Sequence, residues 1–193
     1  MIVFRKKLGS GLYIRKFDRY INADTSGDHS SDNDDPSRLE GYLDNSWSSE
    51  GSITQVNRSN TITELDTHVI CGMFKPDVSG TWQFRLRCDD AGYLWIGSNA
   101  ESLEWDLNKS NALCDGGGGH PASNADGSIS LTAGVYYAIK AMVGDRGGGD
   151  AFIIDFSGPS GSSQSSALSN TGRSGAGFYF HNPYAPNGYN LNS

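Results

Sequence analysis

Eight consecutive residues, Thr81 to Cys88, set Trp82, Phe84, Leu86 and Cys88 in strict alternation with Gln83, Arg85 and Arg87. Successive side chains of an extended backbone point to opposite sides, so a period of two describes a strand with one face buried. A helix would scatter the same residues around its circumference. This run commits the segment to a sheet with a core on one side and water on the other, and it assigns Cys88 to the core. The neighbouring segments agree. His68 to Phe74, Tyr93 to Ile96, Leu131 to Val143 and Ala151 to Phe156 are rich in β-branched and aromatic residues and are bounded by Gly, Pro, Asp and Ser. Lys75 to Gly80 reads as the turn of a hairpin between the first two runs, and Gly144 to Asp150 as the link of another strand pair. The expected class is all-β and antiparallel, with long polar loops.

The 193 residues suffice for one domain with appended arms. The net charge of -7 is unevenly placed, because Arg5, Lys6, Lys7, Arg15, Lys16 and Arg19 make the first twenty residues basic and leave the remainder strongly acidic. An acidic body excludes nucleic acid as a partner. The basic segment reads as a solvated edge strand whose cations discourage self-pairing, or as an arm that meets an acidic neighbour. No stretch of eighteen apolar residues exists to span a membrane. The start also lacks the apolar run of a secretory signal, so an extracellular location implies export by another route or excision from a larger protein. Cys71, Cys88 and Cys114 permit one disulfide at most, with no pairing indicated.

Three regions follow. Residues 1–10 are an N-terminal arm, 11–158 the sandwich domain, and 159–193 a Ser/Gly-rich linker with an aromatic tail. Within the domain, residues 22–37 hold Asp24, Asp28, Asp32, Asp34 and Asp35 without the ligand spacing, central glycine or terminal glutamate of an EF-hand, and read as a solvated loop. Residues 97–127 form an excursion too long for a simple connection and are a candidate for function. Phe178 to Tyr184 reads as a last strand packing on the body, since exposed aromatics cost solubility.

The stretch Val78 to Ile96, in which Gly80-Thr81-Trp82-Gln83-Phe84 leads to Asp89-Asp90 and then to Tyr93-Leu94-Trp95-Ile96, resembles the signature of the protective-antigen-type (PA-fourteen) family. Ala133 to Lys140 resembles that family's Gly-x-Tyr strand, and the Gly-rich loop before Ala151 fits its order. The resemblance spans roughly residues 11–158 and is strong from residue 67. It implies a jelly-roll-like β-sandwich and, in the lectin and adhesin branch, a module that binds sugars through calcium. Calcium takes about six to eight oxygen ligands in a forgiving geometry, so carboxylates and loop carbonyls can hold it and leave positions for two sugar hydroxyls.

Adjacent side chains on a strand normally diverge, so Asp89 and Asp90 can grip one ion only through unusual backbone. The resemblance implies a cis peptide between them. It further implies that Asp145, where the family has asparagine, is a third side-chain ligand, with Gly147 and Gly149 as carbonyl donors. The extra charge should tighten calcium. Arg146, Asp150, Trp105, His120 and Asn124 are candidates for contacting the sugar. The partners implied are glycans of a cell surface or glycoprotein, and the location extracellular, on a surface appendage or a virion.

Two rival readings are open. Glycoside hydrolysis needs carboxyl groups facing each other across the bond, about 5 to 9.5 Å apart, which sequence neighbours on one ion do not provide. His29, His68, His120 and His181 belong to no nucleophile motif, so catalysis is not expected. A structural module of a virion, fibre or appendage, gripping protein neighbours through the arm and tail, is the alternative to sugar binding.

Overall fold

The structure, a computed structural model, describes residues 10–18, 20, 47–59, 62, 65–97, 109–117, 121–159 and 176–179. Among them the strands are β1 (Leu12–Phe17), β2 (Ser49–Ile53), β3 (Asn57–Ser59), β4 (Thr67–Lys75), β5 (Gly80–Asp89), β6 (Ala91–Ile96), β7 (Cys114–Gly116), β8 (Ser123–Leu131), β9 (Tyr137–Gly144), β10 (Ala151–Ser157) and β11 (Gly177–Tyr179). A seven-stranded sheet runs β2-β1-β4-β9-β6-β7, with β11 also on β4, and faces a four-stranded sheet in the order β3-β10-β5-β8. Every pairing is antiparallel. The chain is an all-β antiparallel sandwich, as expected.

The alternation of β5 positions the core. Trp82, Phe84, Leu86 and Cys88 meet Phe74, Leu94, Ile139, Ala141 and Val143 of the opposite sheet. Phe74 is the hub: its ring packs edge-on against Trp82, Phe84 and Phe156 at centroid distances of 5.3, 5.0 and 4.9 Å. Such offset geometry adds about 0.5–1.5 kcal/mol per pair beyond area burial. The outer face of the larger sheet is buried as well, where Tyr93, Trp95, Met142 and their neighbours form a second apolar cluster.

Both expected hairpins are corrected. β4 and β5 lie in different sheets, and so do β9 and β10. Lys75–Gly80 and Gly144–Asp150 are therefore crossings, with β4 pairing β9 and β5 pairing β10. The run Leu131–Val143 is two strands: β8 ends at Leu131, Gly134 takes a positive φ of 78° in the turn, and its N–H donates to Pro76 O at 2.8 Å. The solvated edge strand is also corrected, since β1 lies between β2 and β4. Its cations are matched within the fold. Arg15 is buried, stacks 3.7 Å over the Trp47 ring and donates to Tyr13 Oη at 2.7 Å. Lys16 pairs with Asp66 at 2.8 Å. Phe178 enters the core as the tail's aromatic run was read to do, through β11 on β4. The acidic loop 22–37, residues 1–9 of the arm and the tail beyond Tyr179 lie outside the described residues.

All three cysteines are free and buried. Burial pushes each thiol up to about 12, with Lys140 and Arg15 opposing at Cys71, Asp89 adding at Cys88, and a backbone hydrogen bond at Leu86 opposing at Cys114. The thiolate is the reactive species. Native protein at pH 8 should therefore take up no maleimide by intact mass, and three equivalents once unfolded. Modification of the native protein would refute the buried placement.

Candidate functional site

Three crossings between the sheets stack at one end of the sandwich. Asp90 leads from β5 to β6, Asp145–Asp150 from β9 to β10, and the segment that holds Ile62, Leu65 and Asp66 from β3 to β4. The register aligns them, because Ala151 pairs with both Ser59 and Asp89, while Gly144 pairs with both Thr67 and Ala91. Residues far apart in sequence are thus brought to one rim.

The Asp89–Asp90 peptide is cis. The Asp90 N–H donates to Gly144 O at 3.1 Å, and Asp90 Oδ2 accepts the Arg146 N–H at 2.6 Å. Asp145 Oδ1 accepts the Gly147 N–H at 2.9 Å. Gly147 and Gly148 adopt φ of 149° and 98°, which L side chains rarely adopt, so the loop needs glycine there. A Cβ on Gly149 would sit 3.9 Å from Asp89 Oδ2, whereas one on Gly148 would meet nothing within 4 Å. The loop thus folds over the aspartates with open space above it.

Asp145 is 1% exposed. Burial pushes its carboxyl up to about 6; the Gly147 hydrogen bond opposes this, and the charges of Asp90, Asp150 and Asp89 add to it. These neighbours are all repulsive, which is the field a cation would relieve. No group of three or more His, Cys, Asp or Glu side chains among the described residues is drawn into metal-binding geometry. The donor types nevertheless fit a hard divalent cation: carboxylate oxygens on Asp89, Asp90 and Asp145, each hydrogen-bonded carboxylate keeping a second oxygen, beside glycine carbonyls.

The remaining candidates divide. Arg146 is half-buried in the same loop. Asp150 is buried and accepts the Ile62 N–H through Oδ2, so its carboxylate ties the β3–β4 crossing to the Gly-rich loop. Asn124 lies on β8 opposite Arg87 and is exposed. Trp105 and His120 lie outside the described residues.

Sequence reasoning missed the third crossing. Leu65 N–H donates to Asp145 O at 2.8 Å and Asp145 N–H to Asp66 O at 3.0 Å, a two-bond clasp behind the loop. His68 is buried beneath it, with neither ring nitrogen hydrogen-bonded. Nothing in the spacing of residues 62–68 announces this role, since it depends on pairing with residues almost eighty positions away.

Residues 67–158, which build most of this rim, match the GLEYA domain model. These residues are thus similar to a GLEYA domain. The protective-antigen-type recognition drawn from the Asp89–Asp90 signature is borne out, and solved structures agree on the fold. The A domain of Epithelial Adhesin 6 from Candida glabrata, solved with Galβ1-3GlcNAc, superposes with a TM-score of 0.65 at 16% identity, covering 92% of this chain and 90% of that one. The corresponding domain of Epithelial Adhesin 9 from Candida glabrata, solved with Galβ1-4GlcNAc, gives 0.62 at 16% identity and 89% of each chain. The PA14 domain of the MpAFP antifreeze protein gives 0.60 at 13% identity, covering 93% and 96%. No curated protein matches the chain in sequence. Among the described residues, no helix is long and apolar enough to cross a membrane.

Proposed function

We propose that the GLEYA-like domain is a calcium-dependent, non-catalytic glycan-binding module that works at a cell surface, an extracellular appendage or a virion. The observation that carries this reading is the convergence of Asp89, Asp90 and the Asp145–Gly149 loop at one rim, where loop amides orient carboxylates and the charges of Asp90, Asp150 and Asp89 help push the Asp145 carboxyl up. The glycans bound by the two Candida glabrata adhesin domains support the ligand class.

In this reading Asp89, Asp90 and Asp145 supply side-chain oxygens, and Gly147 and Gly149 supply carbonyls. When bound, the ion would supply open coordination positions for two vicinal sugar hydroxyls. The chain's own residues set the geometry. Arg146 holds Asp90 through its amide, Gly147 holds Asp145, and Asp150 anchors the loop to Ile62. The Arg146 side chain is the first choice for a direct sugar contact, while Asp150 acts as the anchor.

The test is a glycan array probed in calcium and again with chelator. The expected result is binding to a subset of glycans that chelation abolishes. Binding that survives chelation would overturn the ion's role, and no binding to any glycan in calcium would overturn the glycan reading.

A further inference from the structure

β3 carries a modification signal on its exposed side. Asn57-Arg58-Ser59 is an Asn-x-Ser triplet with no proline at its centre, the acceptor pattern for N-linked oligosaccharide. A pattern this short arises often by chance, so its placement decides whether it can be used. β3 consists of these three residues and is an edge strand of the smaller sheet. Arg58 pairs with the core residue Phe152 and is half-buried. Cross-strand partners share a face and successive side chains alternate, so Asn57 and Ser59 stand together on the outer face, where both are exposed. The amide to be modified and the hydroxyl that marks it are on the same side, open to water.

The surroundings suit a sugar. The register sets a row across the outer face from Asn57 to Ile153, Arg87 and Asn124. The next rows are Asp155, Arg85 and Asp126, then Ser157, Gln83 and Ser128. Ile153 is the apolar exception among these side chains. It is half-buried and directly opposite Asn57, a pairing that puts Cβ atoms about 5 Å apart. A first sugar on Asn57 would cover it. A bulky hydrophilic chain on this short strand would also keep a sheet edge from pairing with a second molecule.

Resting on the proposed extracellular location, we infer that Asn57 is an N-glycosylation site, occupied when the chain passes through a eukaryotic secretory compartment. The step joins Asn57 Nδ2 to the anomeric carbon of an oligosaccharide carried on a lipid diphosphate. The bond from that carbon to the diphosphate oxygen breaks, the diphosphate leaves with the electron pair, and the amide gives up one proton. Ser59 and Asp89 both pair with Ala151, and Asn57 lies two residues farther from the rim, about 7 Å along β3. The modified amide is therefore beside the aspartates on the outer face, and a small ion can still reach them.

The test secretes the full chain from a yeast host behind a cleavable leader. Peptides are mapped by mass spectrometry before and after an amidase that releases N-linked oligosaccharide and leaves aspartate at the site. The expected result is an oligosaccharide on the Asn57 peptide in most molecules, lost in Asn57→Gln and Ser59→Ala and kept in Ser59→Thr. Asn124, exposed on the same row but followed two positions later by Asp126, should stay bare. The other such triplet, Asn108-Lys109-Ser110, lies on a separate peptide and is read separately. A secreted, folded parent whose Asn57 peptide is unmodified overturns the assignment. Calorimetry should give equal calcium affinities with and without the oligosaccharide, and a loss of about tenfold or more in the glycosylated form would overturn its placement beside the rim. Absence of calcium and glycan binding from both forms tells against the proposed function and not against Asn57, which the peptide map decides by itself.

Discussion

Replacing Asp90 with alanine is expected to weaken calcium and glycan binding by about a hundredfold or more, with the sandwich intact. Two contributions combine. One carboxylate is lost from a set of three, and calcium affinity follows the number of charged oxygen ligands. The acceptor for the Arg146 amide is lost as well, so the loop that carries Gly147 and Gly149 is no longer held against β5. Asp90→Asn separates the two, since it keeps an acceptor oxygen and removes the charge. A large loss in both variants assigns the effect to charge, whereas a loss in Asp90→Ala alone assigns it to positioning. Asp89→Ala should show the loss of a charged ligand without the loss of the acceptor for the Arg146 amide. Asp126→Ala is the control, because Asp126 is an exposed carboxylate on β8 that forms a bidentate pair with Arg85 at 2.7 Å per contact, on the outer face of the smaller sheet. Calorimetric titration with calcium and near-ultraviolet circular dichroism give the two readouts. An Asp90→Ala protein that is folded and binds calcium like its parent would refute the metal assignment.

The second large effect concerns acid. His68 is 3% exposed and is held neutral, its imidazole pushed down to about 4 from the ordinary 6.5. Burial is the chief cause. Arg58 on β3 and Lys16 on β1 add to it, while Asp66 before β4 and Asp150 in the Gly-rich loop oppose it. A folded-state value below the unfolded one means that the unfolded chain binds the extra proton first. The cost is absent above about pH 6.5 and grows as pH falls toward 4. At 1.36 kcal/mol per unit this amounts to about 3 kcal/mol.

Asp145 acts in the opposite sense over much of the same range, because its raised carboxyl is protonated more readily in the folded chain and contributes stability as pH falls. The parent's profile is the sum of the two. The difference between parent and His68→Leu isolates the histidine. Urea unfolding at pH 7 and pH 4 should show the variant gaining about 3 kcal/mol on the parent between those conditions. An unchanged difference would mean that His68 is already charged or solvated in the native protein.

The strand content was legible because alternation is a local property. Trp82, Phe84, Leu86 and Cys88 need only their neighbours in sequence to declare a buried face, and all four are fully buried or nearly so. The Asp89–Asp90 signature was equally local and led to the family. The pairing of strands was not local. Lys75–Gly80 has the composition of a hairpin turn, and nothing in those residues says that the strands on either side belong to different sheets. β1 shows the same limit from the other side: its cations look fit for a solvated edge until Trp47, Tyr13 and Asp66 are brought to them.

What the sequence determined by itself was the element type, the core face of β5 and the acidic pair at its end, since each depends on the order of adjacent residues. The tertiary structure alone decided that three inter-sheet crossings share one rim, that Asp150 anchors a loop, that Leu65 and Asp66 clasp Asp145, and that His68 is buried. The physical reason is that antiparallel register fixes which distant residues become neighbours, and register is set by the packing of two whole sheets against each other, a property no single segment carries.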